Sequence, residues 1–179
     1  MVHPADGPGL GRRSRSLVDE CHHPPRPGSR PAAGRLSPTG RLELTRRPGT
    51  GPDASLLGDI NGALVVELGC GGGHNLAHLT TQGARCIGID HDPAKIHLAR
   101  ACYGHLPRLH FRNGDAARCL GDVPPGSVDV CLSIFGAFSF TTPGPLLAAV
   151  ATALRPGGQL LIVLRADAHH DYITVLTRR

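Results

Sequence analysis

The chain has 179 residues and a formal net charge of +5. That length suits one domain of ordinary size. No apolar run reaches the length of a membrane span, and no apolar h-region follows the early arginines, so neither a membrane-spanning helix nor a secretory leader is expected. The charge looks like a hint of nucleic acid, but its location removes most of the hint: residues 1–48 hold nine Arg against four acids, and residues 49–179 hold ten Lys and Arg against ten acids.

The front segment differs in kind from the rest. Residues 1–48 carry eight of the sixteen prolines and no aromatic residue. "HHPPRPGSRPAAGRLSPTGR" shows no period of 2 or 3.6, and such a composition buries too little apolar surface to offset its ordering entropy. The expectation is a disordered, basic Pro/Gly/Arg-rich tail over 1–50 and one folded domain over 51–179. Cys21, His22 and His23 have no second ligand pair nearby, so no metal site is expected. The six cysteines are dispersed without a C-x-x-C pair. That pattern suits reduced thiols in a cytoplasmic protein.

From about residue 53 short apolar strands alternate with helical stretches, the pattern of a parallel sheet covered by helices. "ALVVELG" (63–69) reads as the first strand and "HNLAHLTTQ" (74–82) as a helix closed by Gly83. "RCIGID" (85–90) is the second strand. Asp92 caps the next helix, "DPAKIHLARACY", with Pro93 at its first position. "RLHFRNGD" (108–115) and "SVDVCLSIF" (127–135) are strands three and four. Thr142 and Pro143 open a helix running to about Leu154. "RPGG" (155–158) turns the chain into strand five, "QLLIVLR" (159–165).

The chemistry sits between strand one and helix one. Gly69, Gly71 and Gly73 write G-x-G-x-G, where glycine permits positive φ and lets a ligand touch the main chain. The helix start offers free N–H groups to an anion. Asp90 ends the next strand 21 residues after Gly69, where a carboxylate can accept both hydroxyls of an adenosine ribose. A dinucleotide fold wants a further glycine where His74 stands. Glu67 would repel a pyrophosphate there but suits a ligand carrying an ammonium group, such as S-adenosyl-L-methionine.

"VVELGCGGG", "GID", "NGDA" and "LRPGGQLLIVL" resemble the successive motifs of class I S-adenosylmethionine-dependent methyltransferases. The stretch "GPDASLLGDINGALVVELGCGGGHN" is similar to the small-molecule, UbiE/type 11 kind. The resemblance implies an α/β, Rossmann-like doubly wound sheet with parallel order 3-2-1-4-5. It also implies that Glu67, Gly69, Cys70, Gly71 and Gly73 hold the methionine end of the cofactor. Asp90 would bind the ribose and His91 lie beside the adenine. Asp115 would accept from the adenine amine, and the Ala116 N–H would meet a ring nitrogen. Ser133 to Gly136 would border the methyl group. Asp115 could instead merely cap the helix "AARCL", and His91 could face solvent. Asp129 reads as structural, and "PGG" (156–158) as architectural.

Methyl transfer from a sulfonium is a direct displacement, so a base is required only when the acceptor must lose a proton early. His169, His170 and Asp171 are the candidates, with a plain polar turn as the alternative, and no catalytic residue is assigned. "SIFGAFSF" lacks the Asn/Asp-Pro-Pro-aromatic signature of amide- and base-methylating enzymes. After strand five only fourteen residues remain, and "YITVLTRR" (172–179) is expected to pair antiparallel with strand five, without the family's last helix and strand six. The acceptor is expected to be a small molecule. Nucleic acid and membrane are not expected partners, and oligomeric state is not readable. A cofactor-binding module without catalysis, either degenerate or completed by a partner chain, is the alternative.

Overall fold

In the computed structural model, residues 40–47, 49–167 and 169–179 are described. Most of the expected tail, residues 1–39, lies outside them, and so do Cys21, His22 and His23. The elements are β1 (Leu64–Leu68), α1 (His74–Thr81), β2 (Arg85–Asp90), α2 (Pro93–Tyr103) and β3 (Leu109–Asn113). They continue as α3 (Ala116–Gly121), β4 (Val128–Ile134), α4 (Pro143–Ala153), β5 (Leu154–Arg165) and β6 (Asp171–Thr177). Short 3-10 turns stand at Ala54–Leu57 and Ala137–Ser139. The six strands form one sheet in the order β3-β2-β1-β4-β5-β6. The first five are parallel, and β6 runs antiparallel to β5 from Arg165↔Asp171 to Gln159↔Thr177.

This is the doubly wound, Rossmann-like sheet read from the motifs. Side chains alternate across it. On one face Val65, Leu132 and Leu161 pack with Leu76 and Leu79 of α1 and Ile96 and Ala99 of α2. On the other, Val66, Leu68, Cys131 and Leu160 pack with Leu120 of α3 and Leu146 and Val150 of α4. Asp129 is structural, as expected: its carboxylate accepts the Leu64 N–H at 2.7 Å and Arg155 Nε at 2.6 Å, tying the starts of β1 and β5 to β4.

Three differences have local causes. Strand five begins at Leu154, so "RPGG" belongs to it; Gly157, at φ +75°, still turns the chain, while its N–H donates to Arg178 O at 2.8 Å. The core begins before residue 51. Leu42 and Leu44 are fully buried in the α1–α2 side of the core, so the tail boundary drawn at residue 50 is too late. The cause is the alternation in "RLELT" (41–45), a period of 2 too short to stand out beside the proline-rich run. Cys70, Cys86, Cys119 and Cys131 are buried free thiols, but Cys102 is disulfide-bonded, against the expectation of reduced thiols throughout. Spacing alone carries no pairing signal, so cysteine usage does not fix the compartment. No described helix is long and apolar enough to cross a membrane.

Candidate active site

The first loop is held by its own backbone. The N–H groups of Gly69 and Cys70 both donate to Ile89 O, at 2.8 and 3.0 Å, and the Gly73 N–H donates to Cys70 O at 3.0 Å. The Gly71 N–H donates to Asp90 Oδ2 at 2.8 Å. Four of the five N–H groups from residue 69 to 73 are therefore already used within the protein. Within the loop only the Gly72 N–H is left for a ligand, beside the first-turn N–H groups of α1.

Gly69, at φ +82°, sits where a Cβ would come within 2.6 Å of Ala137 N and Gly136 Cα. Only a residue without a side chain allows the loop after β4 to close over the loop after β1. Gly136 mirrors it: a Cβ there would meet Leu68 O. This backbone-to-backbone approach makes one wall of a cavity of about 360 Å³. The cavity brings together Gly69, Asp90, His91, Asp115, Ala116, Phe135 and Gly136 of the expected set. It also takes in Lys95, Phe140 and Thr141. Phe135 is the one non-glycine residue with positive φ, +49°, among those described. A phenylalanine held there stores backbone strain at the end of β4, where the chain leaves the sheet to wall the cavity.

The carboxylates differ sharply in setting. Asp90 is 4% exposed and accepts the N–H of Gly71 at 2.8 Å and of Asp92 at 2.9 Å. Its main-chain O also accepts from Asn113 Nδ2 at 2.9 Å, locking the end of β2 to β3. The exposed His91 ring stands 3.6 Å from Asp90 Oδ1. Asp115 does cap α3, its Oδ1 accepting the Arg118 N–H at 2.9 Å, while it also lines the cavity. The capping reading therefore holds, at a residue that also faces the cavity. Ala116 begins α3.

Glu67 is buried under the loop. One oxygen accepts Asn75 Nδ2 at 3.0 Å, and the other, Oε2, has no hydrogen-bond partner. Burial pushes its carboxyl up to about 8; the Asn75 hydrogen bond pulls it down and the Asp90 charge adds to the rise. A buried acceptor without a partner is costly unless something else meets it.

Other expected residues stand outside the cavity lining. The Cys70 thiol faces the core beside Gly88, and burial raises its pKa. Gly71 has open space where a Cβ would be, whereas a Cβ on Gly73 would meet Phe111 Cζ at 2.5 Å, so Gly73 answers to packing. The Ser133 hydroxyl is fully buried and accepts the Phe138 N–H at 3.2 Å, bracing the loop after β4. Of the candidate bases, Asp171 is bound by Arg46 at 2.6 Å and His170 Nδ1 by Asp167 at 2.9 Å. Asn75 escaped the sequence reading although it ends the motif. Its signal was its place in the first turn of α1, facing back toward β1.

The type 11 "Methyltransferase domain" family profile matches residues 66–162, more than half of the chain. The chain belongs to this methyltransferase family. It is 34% identical over 97 residues to an uncharacterized methyltransferase of Mycolicibacterium gilvum, covering 52% of this chain and 36% of that one. It is 34% identical over 116 residues to the trans-aconitate 2-methyltransferase of Deinococcus radiodurans, covering 64% and 43%. Among solved structures, a TehB-like SAM-dependent methyltransferase of Corynebacterium glutamicum aligns with a TM-score of 0.51 and 27% identity over 59% of this chain and 56% of that one. The chain thus spans less than half the length of these two curated relatives.

Proposed function

We propose that this chain transfers a methyl group from S-adenosyl-L-methionine to a small organic acceptor. The observation that carries the reading is the unpartnered Glu67 oxygen beneath a loop with four of its five N–H groups bonded within the protein. An acid there disfavours phosphate and suits hydroxyl and ammonium donors. Asp90 would receive the two ribose hydroxyls, each oxygen having a lone pair beyond its N–H bond. Asp115 would receive the adenine amine on its free oxygen, beside the Ala116 N–H and His91. Glu67 would receive the ammonium of the methionine end, held in aim by Asn75. Gly69, Cys70, Gly71 and Gly73 would offer main chain, and Ser133 would act through the loop it braces.

Bound there, the cofactor supplies a methyl group on a cationic sulfur, open to direct displacement. The chain's own contribution is alignment and exclusion of water. Phe135, Gly136 and Ala137 wall the cavity after β4, and a dry, aligned site favours a step in which charge is dispersed. No residue is assigned as a base. The named relatives support a small-molecule acceptor: one is a trans-aconitate methyltransferase, and solved neighbours include geranyl diphosphate methyltransferases.

The test is calorimetry with S-adenosylhomocysteine together with transfer of a labelled methyl group to a panel of small acceptors. Binding and turnover are expected, with binding lost in Asp90→Ala. No binding by the wild type, or full affinity in that variant, would overturn the reading. A second reading, a cofactor-binding module completed by a partner chain, is favoured by the exposed Phe140 ring at the cavity rim, 79% accessible. Binding without turnover would select it.

A further inference from the structure

A second cavity, about 470 Å³, opens where the segment 45–51 meets the loop between β5 and β6. Its lining includes Arg46, Arg47, His169, His170 and Asp171. The platform beneath Arg47 is built, not loose. Arg41 donates to Gly49 O at 3.3 Å and to Gly51 O at 2.8 Å. Both Glu43 oxygens accept the Gly49 N–H at 3.1 Å. Thr50 Oγ1 donates to Arg47 O at 2.7 Å, and Thr45 Oγ1 donates to the same oxygen at 2.9 Å. Leu42 and Leu44 root the segment in the core. Arg46 reaches across, its Nε meeting Asp171 at 2.6 Å and its NH2 donating to Asp167 O at 2.7 Å.

Two arginines and one carboxylate line this cavity. The carboxylates are engaged: Asp171 by Arg46, Asp167 by the N–H groups of His169 and His170 and by the His170 ring, and Glu43 by Gly49. The Arg47 guanidinium, exposed, has no hydrogen bond or ion pair among the described residues. The His169 ring nitrogens and His170 Nε2 have none either. A guanidinium without a partner, lining one cavity with two imidazoles, matches the planar oxygens of an anion.

The cavity opens at the same end of the sheet as the first. The Phe135 N–H donates to Val163 O at 3.0 Å, and two residues further along β5 Arg165 pairs with Asp171. Phe135 lines the first cavity and packs on the same apolar cluster as Leu44 and Ile173, neighbours in sequence of Thr45 and Asp171, which line the second. The first cavity reaches the carboxyl end of β4, and the second the carboxyl end of β5, the next strand of the sheet.

We propose that this second cavity receives the methyl acceptor, and that the acceptor carries a carboxylate or phosphate gripped by Arg47 with His169 and His170. The proposal rests on the methyltransferase reading above and adds the substrate class. It is tested on the full chain saturated with S-adenosylhomocysteine, by calorimetric titration of citrate, of inorganic phosphate and of glycerol as a neutral control. One or both anions should bind and glycerol should not; citrate alone would indicate a carboxylate acceptor, phosphate alone a phosphorylated one. Arg47→Glu should weaken anion binding by about tenfold or more, the scale of one charge-assisted hydrogen bond. Arg47→Lys should recover part of it, and Arg179→Glu, a charge reversal at the far end of β6, should leave it unchanged. Absence of binding for both anions, or equal losses in Arg47→Glu and Arg179→Glu, would overturn the proposal. Both Arg47 variants should keep wild-type affinity for S-adenosylhomocysteine. Failure of the wild type to bind S-adenosylhomocysteine would instead overturn the methyltransferase reading itself.

Discussion

The two cavities are built on opposite plans. The first is assembled from short pieces of chain: a glycine loop, the residues at the ends of β2 and β3, and the turn after β4. The second lies where Arg46 reaches Asp171, 125 residues away in sequence. One therefore depends on backbone conformation, the other on long-range packing and charge. A change to one should leave the other largely standing.

The largest expected effect breaks the second side. Leu44→Ala removes a fully buried side chain and should cost about 2–5 kcal/mol, read as a lower denaturant midpoint, while the folded fraction keeps its affinity for S-adenosylhomocysteine. A neutral outcome would detach residues 41–47 from the domain. Gly69→Val attacks the first side. Overpacking at about 1–3 kcal/mol and a left-handed backbone at about 1–2 kcal/mol add up, and S-adenosylhomocysteine binding should vanish. Retained binding would mean that the approach of Gly69 to Gly136 does not shape the site.

Glu67 gives a pH signature to the first side alone. Its carboxyl stands near 8 in the fold against an ordinary 4.5, so the folded state holds a proton that the unfolded state releases. The stability it contributes is full below about 4.5 and is lost as pH rises to about 8, at no more than about 1.4 kcal/mol per pH unit. Glu67→Gln should flatten that slope in the unliganded protein. An unchanged slope would assign it to other groups. The smallest effect is Arg46→Ala, which should lower the melting temperature less than Leu44→Ala does and lose its effect at high salt.

The same contrast explains what the sequence could tell. Asp92 before Pro93, the glycines, and Asp90 at its distance are local signals, and the helix, the loop and the end of β2 follow from them. Asp115 was readable as a cap because its helix begins directly after it; only the family resemblance pointed it toward a ligand. Gly136 was expected at the methyl end, but its close approach to the chain at Leu68 and Gly69 was hidden, because it depends on how two loops meet. Lys95, Phe140 and Thr141 reach the first cavity from elements whose own patterns are ordinary. Leu42 and Leu44 were obscured by their proline-rich neighbours, and no spacing rule connects Arg46 with Asp171. The terminal strand was legible from β-branched composition, its antiparallel direction from the short loop before it.

The central proposal is that the ammonium of a sulfonium cofactor meets Glu67, which lies buried beneath the loop that walls the first cavity. Titration of S-adenosylhomocysteine at pH 7, in two buffers of different ionisation enthalpy, measures the protons exchanged. The wild type should bind and release close to one proton, because the Glu67 carboxyl near 8 must ionise to meet the ammonium; Glu67→Gln should bind more weakly and release none. No binding, or binding by the wild type without proton release, would contradict the account.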